Sequence, residues 1–243
     1  MIKSISVILP LFNEEKRLKK AFRKIVNFSK KNKINLKEFI FVNDGSSDKS
    51  EEMIKKFIKD NKKFKKGKFN YFKLQNNSGK GAALKLGVKK AKGEWILTSD
   101  IDFSVSLFEI NKWLKKKYIN NLNQVYFGSR SHHLSNVSSK FYRKIIGNLL
   151  RFLINFILDI KIRDTQCGFK LYKKDLAKKI FSKVKFVGFE HDIEIVMLLK
   201  KEKFKIIELP VNWEHVNLSK VNLFSDSLKF FFKVFLIKLR YKS

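Results

Sequence analysis

The chain has 243 residues, enough for one substantial domain whose core needs no covalent staples, and its single cysteine, Cys167, rules out an internal disulfide and suits a reducing, cytosolic setting. Lys and Arg number 54 against 22 Asp and Glu, a formal charge of +32 that calls for an anionic partner: nucleic acid, an anionic bilayer or a phosphorylated substrate. The longest apolar run, Ile145 to Leu158, falls short of the ~20 residues of a membrane span and is broken by Arg151, while the apolar opening Ile5 to Phe12 carries Pro10 and lacks a small-residue cleavage pattern, so it reads as a buried strand and not as a secretion signal.

From the amino terminus, strands and helices alternate. Ile5 to Leu9 is a continuous apolar run, as in a parallel strand covered on both faces. Glu14 to Lys31 sets Leu18, Phe22, Ile25 and Val26 at helical spacing. Phe39 to Val42 is a second strand ending in the turn cluster Asn43 to Asp48, where Ser47 or Asp48 is placed to cap a helix over Glu51 to Asp60. A strand at Tyr71 to Leu74, a helix at Gly81 to Ala91, and strands at Trp95 to Thr98 and Gln124 to Phe127 follow. This alternation predicts an α/β fold around a mostly parallel central sheet, with its binding crevice at the carboxyl ends of the strands. Polar clusters fall at that end of all five strands: Phe12-Asn13-Glu14, Asp44, Asn76 to Gly81, Asp100 with Asp102, and Gly128-Ser129-Arg130. Acidic turns scattered at random would fall at both ends, so the sheet is expected to carry a site.

Trp95 to Asp102 runs an apolar strand into two carboxylates one residue apart. Side chains at i and i+2 of extended chain point the same way, so Asp100 and Asp102 can reach one hard divalent cation and leave positions open for phosphates. Gly79-Lys80-Gly81 is not a P-loop, and no G-x-G-x-x-G follows the first strand, which disfavours a nucleotide triphosphatase and a dinucleotide oxidoreductase. No Ser-His-Asp or Cys-His constellation is evident. His132, His133 and His191 lack the spacing of a zinc set and read as polar loop or helix residues. The basic residues are spread along the whole chain without a helix-turn-helix, zinc or RNP-type motif, so a nucleic acid is not the expected partner.

The segments ISVILPLFNEE, FIFVNDGSSD, NNSGKGAALKLGV, WILTSDID, VYFGSR and DTQCGFKLY, in this order, resemble the family 2 glycosyltransferases of the GT-A fold, from about Ile5 to Tyr241. Within that family Arg163 to Lys170, with Val211-Asn-Trp213, Ser219-Lys220 and Leu239-Arg-Tyr241, is similar to the dolichyl-phosphate β-glucosyltransferase branch. The resemblance implies a Rossmann-like nucleotide-binding domain over 1–220, and the apolar and basic composition of the carboxyl-terminal stretch an amphipathic membrane-associating segment at 221–243. It implies a metal-dependent, inverting transfer of a hexose, glucose from UDP-glucose in that branch, onto a polyprenyl or dolichyl monophosphate. A GDP-mannose donor or a non-lipid sugar acceptor are the alternatives.

Carried across by residue, Pro10, Phe12, Asn13 and Glu14 match the nucleoside motif and Asp44 the carboxylate at the base, with Asn43 departing from the commoner Asp. Gly79 and Lys80 match the loop beside the nucleotide. Asp100 and Asp102 match the metal motif, for Mg²⁺ or Mn²⁺, and Phe103 stands where a small residue is common. Arg130 and Arg143 match acceptor-phosphate arginines. Asp192 and Glu194 match an acidic pair that holds sugar hydroxyls or the active-site loop, with a helix-surface role left open for Glu194. A lipid monophosphate, with a second pKa of about 6, is largely dianionic at neutral pH and attacks without a general base. Ile145 to Leu158 and Leu223 to Leu239 mix Leu, Ile and Phe with Arg151, Lys229, Lys233, Lys238 and Arg240, as expected of helices in a bilayer interface, the first having the sheet's flank as its alternative. A peripheral protein at the cytoplasmic membrane face is expected.

Overall fold

A computed structural model describes residues 4–32, 34–62, 68–120, 125–138, 151, 153–215 and 225–241. The first half reads β1 (Ile5–Leu11), α1 (Glu15–Lys31), β2 (Leu36–Asn43), α2 (Ser50–Asp60), β3 (Lys68–Lys73), α3 (Lys80–Lys90), β4 (Trp95–Thr98) and α4 (Glu109–Lys115). The second half has β5 (Val125–Ser129), β6 (Asn136–Ser138), a helical stretch at 153–158 (α5), β7 (Lys170–Lys173), α6 (Lys174–Lys183), α7 (His191–Lys201), β8 (Ile206–Pro210), β9 (Asn212–Glu214) and α8 (Ser225–Tyr241). All five strands expected from the sequence are present.

Seven strands form one sheet in the order β3-β2-β1-β4-β7-β5-β8. Every pairing in it is parallel except those of β7, which runs antiparallel to both β4 and β5. Alternation of side chains along the strands builds the two apolar layers. Val7, Leu9, Phe39, Phe41, Leu97, Tyr126 and Leu171 face α1, α2 and α4. Ile8, Ile40, Val42, Ile96, Phe127 and Tyr172 face α3 and α5 to α8. Pro10 sits in a central strand because the pairing of β1 with β4 ends at Ile8, so its missing N–H interrupts no ladder. The strand order reverses between β1 and β4, which puts the crevice for a ligand at the carboxyl ends of these two strands.

Asp48 does act at the start of α2, accepting the Ser50 N–H at 2.9 Å through Oδ1, while Ser47 makes no such bond. The segment expected at 221–243 is represented by α8, and it is integrated with the domain: Val234 and Ile237 are buried in the second apolar layer. Lys233 Nζ donates to Glu190 Oε1 at 2.8 Å, and Tyr241 OH donates to Glu194 Oε1 at 2.8 Å. Of the earlier apolar run, 145–150 lies outside the described residues, while Ile154 and Leu158 of α5 join the same layer. No helix among the described residues is long and apolar enough to cross a membrane.

Candidate active site

The chain leaving β4 is shaped from three sides. Thr98 Oγ1 donates to Gly168 O at 2.9 Å, Asp102 Oδ1 accepts the Ser104 N–H at 2.9 Å, and Lys24 of α1 donates to Phe103 O at 3.2 Å. Phe103 adopts φ 51°, a left-handed conformation that a bulky residue reaches only where its surroundings enforce it. Its ring is buried in the first apolar layer, which explains how a Phe is accommodated directly after Asp102. Asp100 Oδ1 meets Lys80 Nζ at 2.6 Å, and its carboxylate lies so close over Gly168 that a Cβ there would overlap it. Burial opposes the charge on Lys80, but Asp100, Asp192 and Asp102 outweigh it and raise its pKa, which places this one ammonium among three carboxylates.

Asp100 and Asp102 offer hard oxygen donors of the kind a divalent ion takes. Among the described residues no group of three or more His, Cys, Asp or Glu could hold a metal ion. Among the described residues these two carboxylates are the donors on offer, and an ion preferring about six oxygens fits between them with a phosphate-bearing ligand and water completing its shell.

The residues matched to the nucleoside hold the neighbouring loops together. Asp44, almost fully buried, accepts the Ser78 N–H through Oδ1 and the Gly79 N–H through Oδ2, both at 2.8 Å; burial raises its pKa against these two bonds. Asn13, at φ 53°, accepts the Ser47 N–H at 2.8 Å, and Glu14 pairs with Arg17 at 3.2 Å. Pro10 is buried within β1, and Phe12 follows that strand half-buried. Gly79, at φ 100°, has no room for a Cβ against Val187 O, and Gly81 donates its N–H to Val187 O at 2.7 Å. The α3 loop is thereby seated against the chain that enters α7.

Opposite Asp100 stands Arg130, at the end of β5. Asp164, completely buried, accepts its main-chain N–H at 2.9 Å, its Nε–H at 2.7 Å and its Nη2–H at 2.8 Å. Burial of Asp164 opposes its ionisation, yet the Arg130 charge and hydrogen bonds hold its pKa below the usual carboxylate range. The fork leaves Nη1 of a partly exposed guanidinium for a further anion. Arg143 lies outside the described residues. Between Asp100 and Arg130 runs a narrow cavity with about 30 Å³ of free space, lined also by Gln166, Gly168 and Trp213.

Asp192 is buried at the start of α7. It accepts from Lys170 Nζ and lies 3.3 Å from His191 Nε2. Burial resists its charge, but His191, Lys170 and Lys80 keep its pKa far below the usual range, so Asp192 is a fixed negative charge. The surface role left open for Glu194 is overturned: this residue is fully buried, and its Oε2 accepts the N–H groups of Lys185 and Phe186, both at 2.8 Å. His191 is a buried helix residue whose Nδ1 lies 2.7 Å from Gly188 O, and His132 and His133 stack on each other in the turn after β5. Asp164, Gln166, Gly168 and Lys170 received no individual role from the sequence, although the segment containing them was the mark of the branch. Cys167 is free and buried, its pKa pushed up to about 12 by burial and by Asp164, so its thiol is inert.

Residues 6–181 match the model of glycosyl transferase family 2. Among curated proteins, the chain is 31% identical over 98% of its length to a dolichyl-phosphate beta-glucosyltransferase of Homo sapiens, covering 76% of that protein. It is 30% identical over 98% of its length to the one of Dictyostelium discoideum, covering 74%. Among solved structures, the fold is similar to glucosyl-3-phosphoglycerate synthase of Mycobacterium tuberculosis in complex with Mn²⁺, UDP-glucose and phosphoglyceric acid. That match has a TM-score of 0.69 at 15% identity and covers 98% of this chain and 79% of the other.

Proposed function

The chain belongs to glycosyl transferase family 2 and is a glycosyltransferase of the GT-A fold, and we propose that it moves glucose from UDP-glucose onto the phosphate of a polyprenyl lipid of the dolichyl type, at the cytoplasmic face of a membrane. The observation that carries this reading is the pair of opposed walls of the cavity. Asp100 with Lys80 offers a place for a metal-held diphosphate, and Arg130 faces it across a space too small for a whole nucleotide sugar. The similarity to dolichyl-phosphate beta-glucosyltransferases supports the choice of sugar and acceptor.

In this reading Asp100 and Asp102 would hold a Mg²⁺ or Mn²⁺ ion, which neutralises charge developing on the diphosphate as the sugar leaves. Lys80 adds a second positive charge on the same side. Arg130, held flat by Asp164, presents its free guanidinium edge to the acceptor phosphate and aligns it behind the anomeric carbon. An acceptor oxygen bonds that carbon as the bond to the diphosphate oxygen breaks, the electron pair leaving with the diphosphate. A single in-line attack inverts the centre and gives a β-linked product. No residue has to take a proton, because the acceptor is already anionic. Asp192, enclosed and ion-paired, supports the positive groups and is poorly suited to proton shuttling.

For the membrane, α8 exposes Phe232, Phe235 and Leu239, and α5 in the same helical layer exposes Phe156 at 79%. With Arg240 beside them, these side chains suit adsorption to an anionic interface without a span. The test is a panel of nucleotide sugars offered with a short polyprenyl phosphate, with and without EDTA. A glucolipid formed from UDP-glucose alone, and lost with EDTA, is the expected result; transfer to a free sugar, or none to the lipid phosphate, overturns the proposal.

A further inference from the structure

One polar group at the cavity is left over when the hydrogen bonds around it are counted. Gln166 lines the space between Asp100 and Arg130, and its Nε2 is buried without a hydrogen-bond partner. Buried amide donors are rarely left unpaired, so the group calls for a ligand atom. Ser129 Oγ and Thr165 Oγ1 are unpartnered as well, but neither residue lines the cavity.

We infer that Gln166 is a specificity-determining residue that donates a hydrogen bond from Nε2 to a hydroxyl of the hexose being transferred. The inference rests on the donor and acceptor sides assigned above. If the diphosphate lies at Asp100 and the attacking phosphate at Arg130, the anomeric carbon lies between them, and the sugar ring stands at the mouth of this cavity. Its free space of about 30 Å³ has room for a hydroxyl group and not for a ring, so a hydroxyl reaching inward from the sugar meets Nε2. A neutral amide pairs donor and acceptor, as a hydroxyl does, whereas the phosphates on either side find Lys80 and Arg130.

The backbone around Gln166 is held still, as discrimination between hydroxyls requires. Its N–H is bonded to Asp164 Oδ1 at 3.2 Å, and the preceding Thr165 O accepts from Lys170 Nζ at 2.9 Å. On the other side Cys167 is buried, and Gly168 is pinned beneath the Asp100 carboxylate. Asp164 also grips Arg130, so one buried carboxylate sets the position of both the sugar-reading amide and the acceptor-reading guanidinium.

The test is a cycle between enzyme variant and donor. Wild type, Gln166→Ala and the near-isosteric Gln166→Glu are assayed for kcat/KM with UDP-glucose and with the 2-, 3-, 4- and 6-deoxyglucose donors, and UDP affinity is measured by calorimetry. Gln166→Ala is expected to lower kcat/KM for UDP-glucose by about 10- to 100-fold with UDP affinity unchanged. Against one deoxy donor, the one lacking the recognised hydroxyl, wild type and variant should perform alike. A variant that loses the same factor on every donor, keeps full activity, or loses UDP affinity overturns the inference. Gln166→Glu carries the same comparison if the alanine variant does not fold. Should the wild-type chain transfer a different hexose, the donor assignment fails by itself, and the cycle is read on that hexose's deoxy series.

Discussion

Replacing Asp164 with alanine removes the acceptor of four hydrogen bonds: three from Arg130, at its main-chain N, Nε and Nη2, and one from the Gln166 N–H. Breaking a fully buried ion pair from one side typically destabilises by about 3–5 kcal/mol. Here the Arg130 side chain is 27% exposed and partly resolvated, which lowers the figure, while two main-chain N–H groups lose their acceptor, which raises it. We expect about 3 kcal/mol, a large part of the 5–15 kcal/mol that holds a typical domain. Urea denaturation followed by tryptophan fluorescence should show a lower midpoint at unchanged slope. Asp164→Asn keeps an acceptor for the main chain and should lose roughly half as much. The pH dependence is a second check. The folded pKa of Asp164 is depressed, so the native state binds fewer protons, and the contribution is complete above the unfolded value of about 3.9 and lost as pH falls through the folded one. The gap between wild type and Asp164→Ala should therefore be flat around neutrality and close only in acid below about pH 4. A loss under about 0.5 kcal/mol at neutral pH, or a gap that narrows between pH 6 and 8, would refute the reasoning.

Asp100→Asn and Asp102→Asn should each lower transfer by at least about 100-fold while leaving the urea midpoint near wild type, since they remove charge from two half-buried side chains and no packing volume; transfer that survives in both, or ignores EDTA, would make this pair an ordinary turn. Arg130→Ala should raise the KM for lipid phosphate with nucleotide affinity by calorimetry nearly unchanged, and a collapse of nucleotide affinity would move Arg130 to the donor side. For the membrane, truncating α8 would strip Val234 and Ile237 from the core, so the better perturbation is Phe232→Ser with Phe235→Ser and Leu239→Ser on its exposed face. At about 1.5–3 kcal/mol for each fully buried apolar side chain, even partial insertion of the three predicts vesicle affinity weaker by roughly 100-fold or more in sedimentation, with the fold intact.

The parts of the site that could be read from sequence are those fixed by local chain geometry. Asp100 and Asp102 follow a short strand buried along its whole length, and their polar neighbours lie at the carboxyl ends of β1, β2, β3 and β5 because those strands run in the same direction. β7 carries no such signal. It is four residues long, opens with a lysine, and is inserted antiparallel between strands that precede it, so nothing near it in the chain shows that Lys170 is buried against Asp192. Gly168, at the mouth of that strand, is legible only as a turn until Asp100 is seen above it. α7 misleads for a related reason. Glu190, His191, Asp192 and Glu194 look like the exposed first turn of a helix, yet all are covered, because their partners come from Lys170 and from α8.

The place of β7 also dictates when the molecule becomes whole. β4 and β5 succeed one another among the strands of the large sheet but never touch in it, since the strand that joins them is made about forty residues after β5. A nascent chain that stops before residue 170 has β3-β2-β1-β4 on one side and an orphan β5 on the other, each with an unpaired edge facing the gap. Closure waits for a long-range event, which slows folding. The same event lays Gly168 under Asp100 and, through residues 164–166, brings Arg130 its carboxylate. Catalytic competence should therefore emerge late and all at once, with no partly assembled enzyme that binds its acceptor before the sheet has closed.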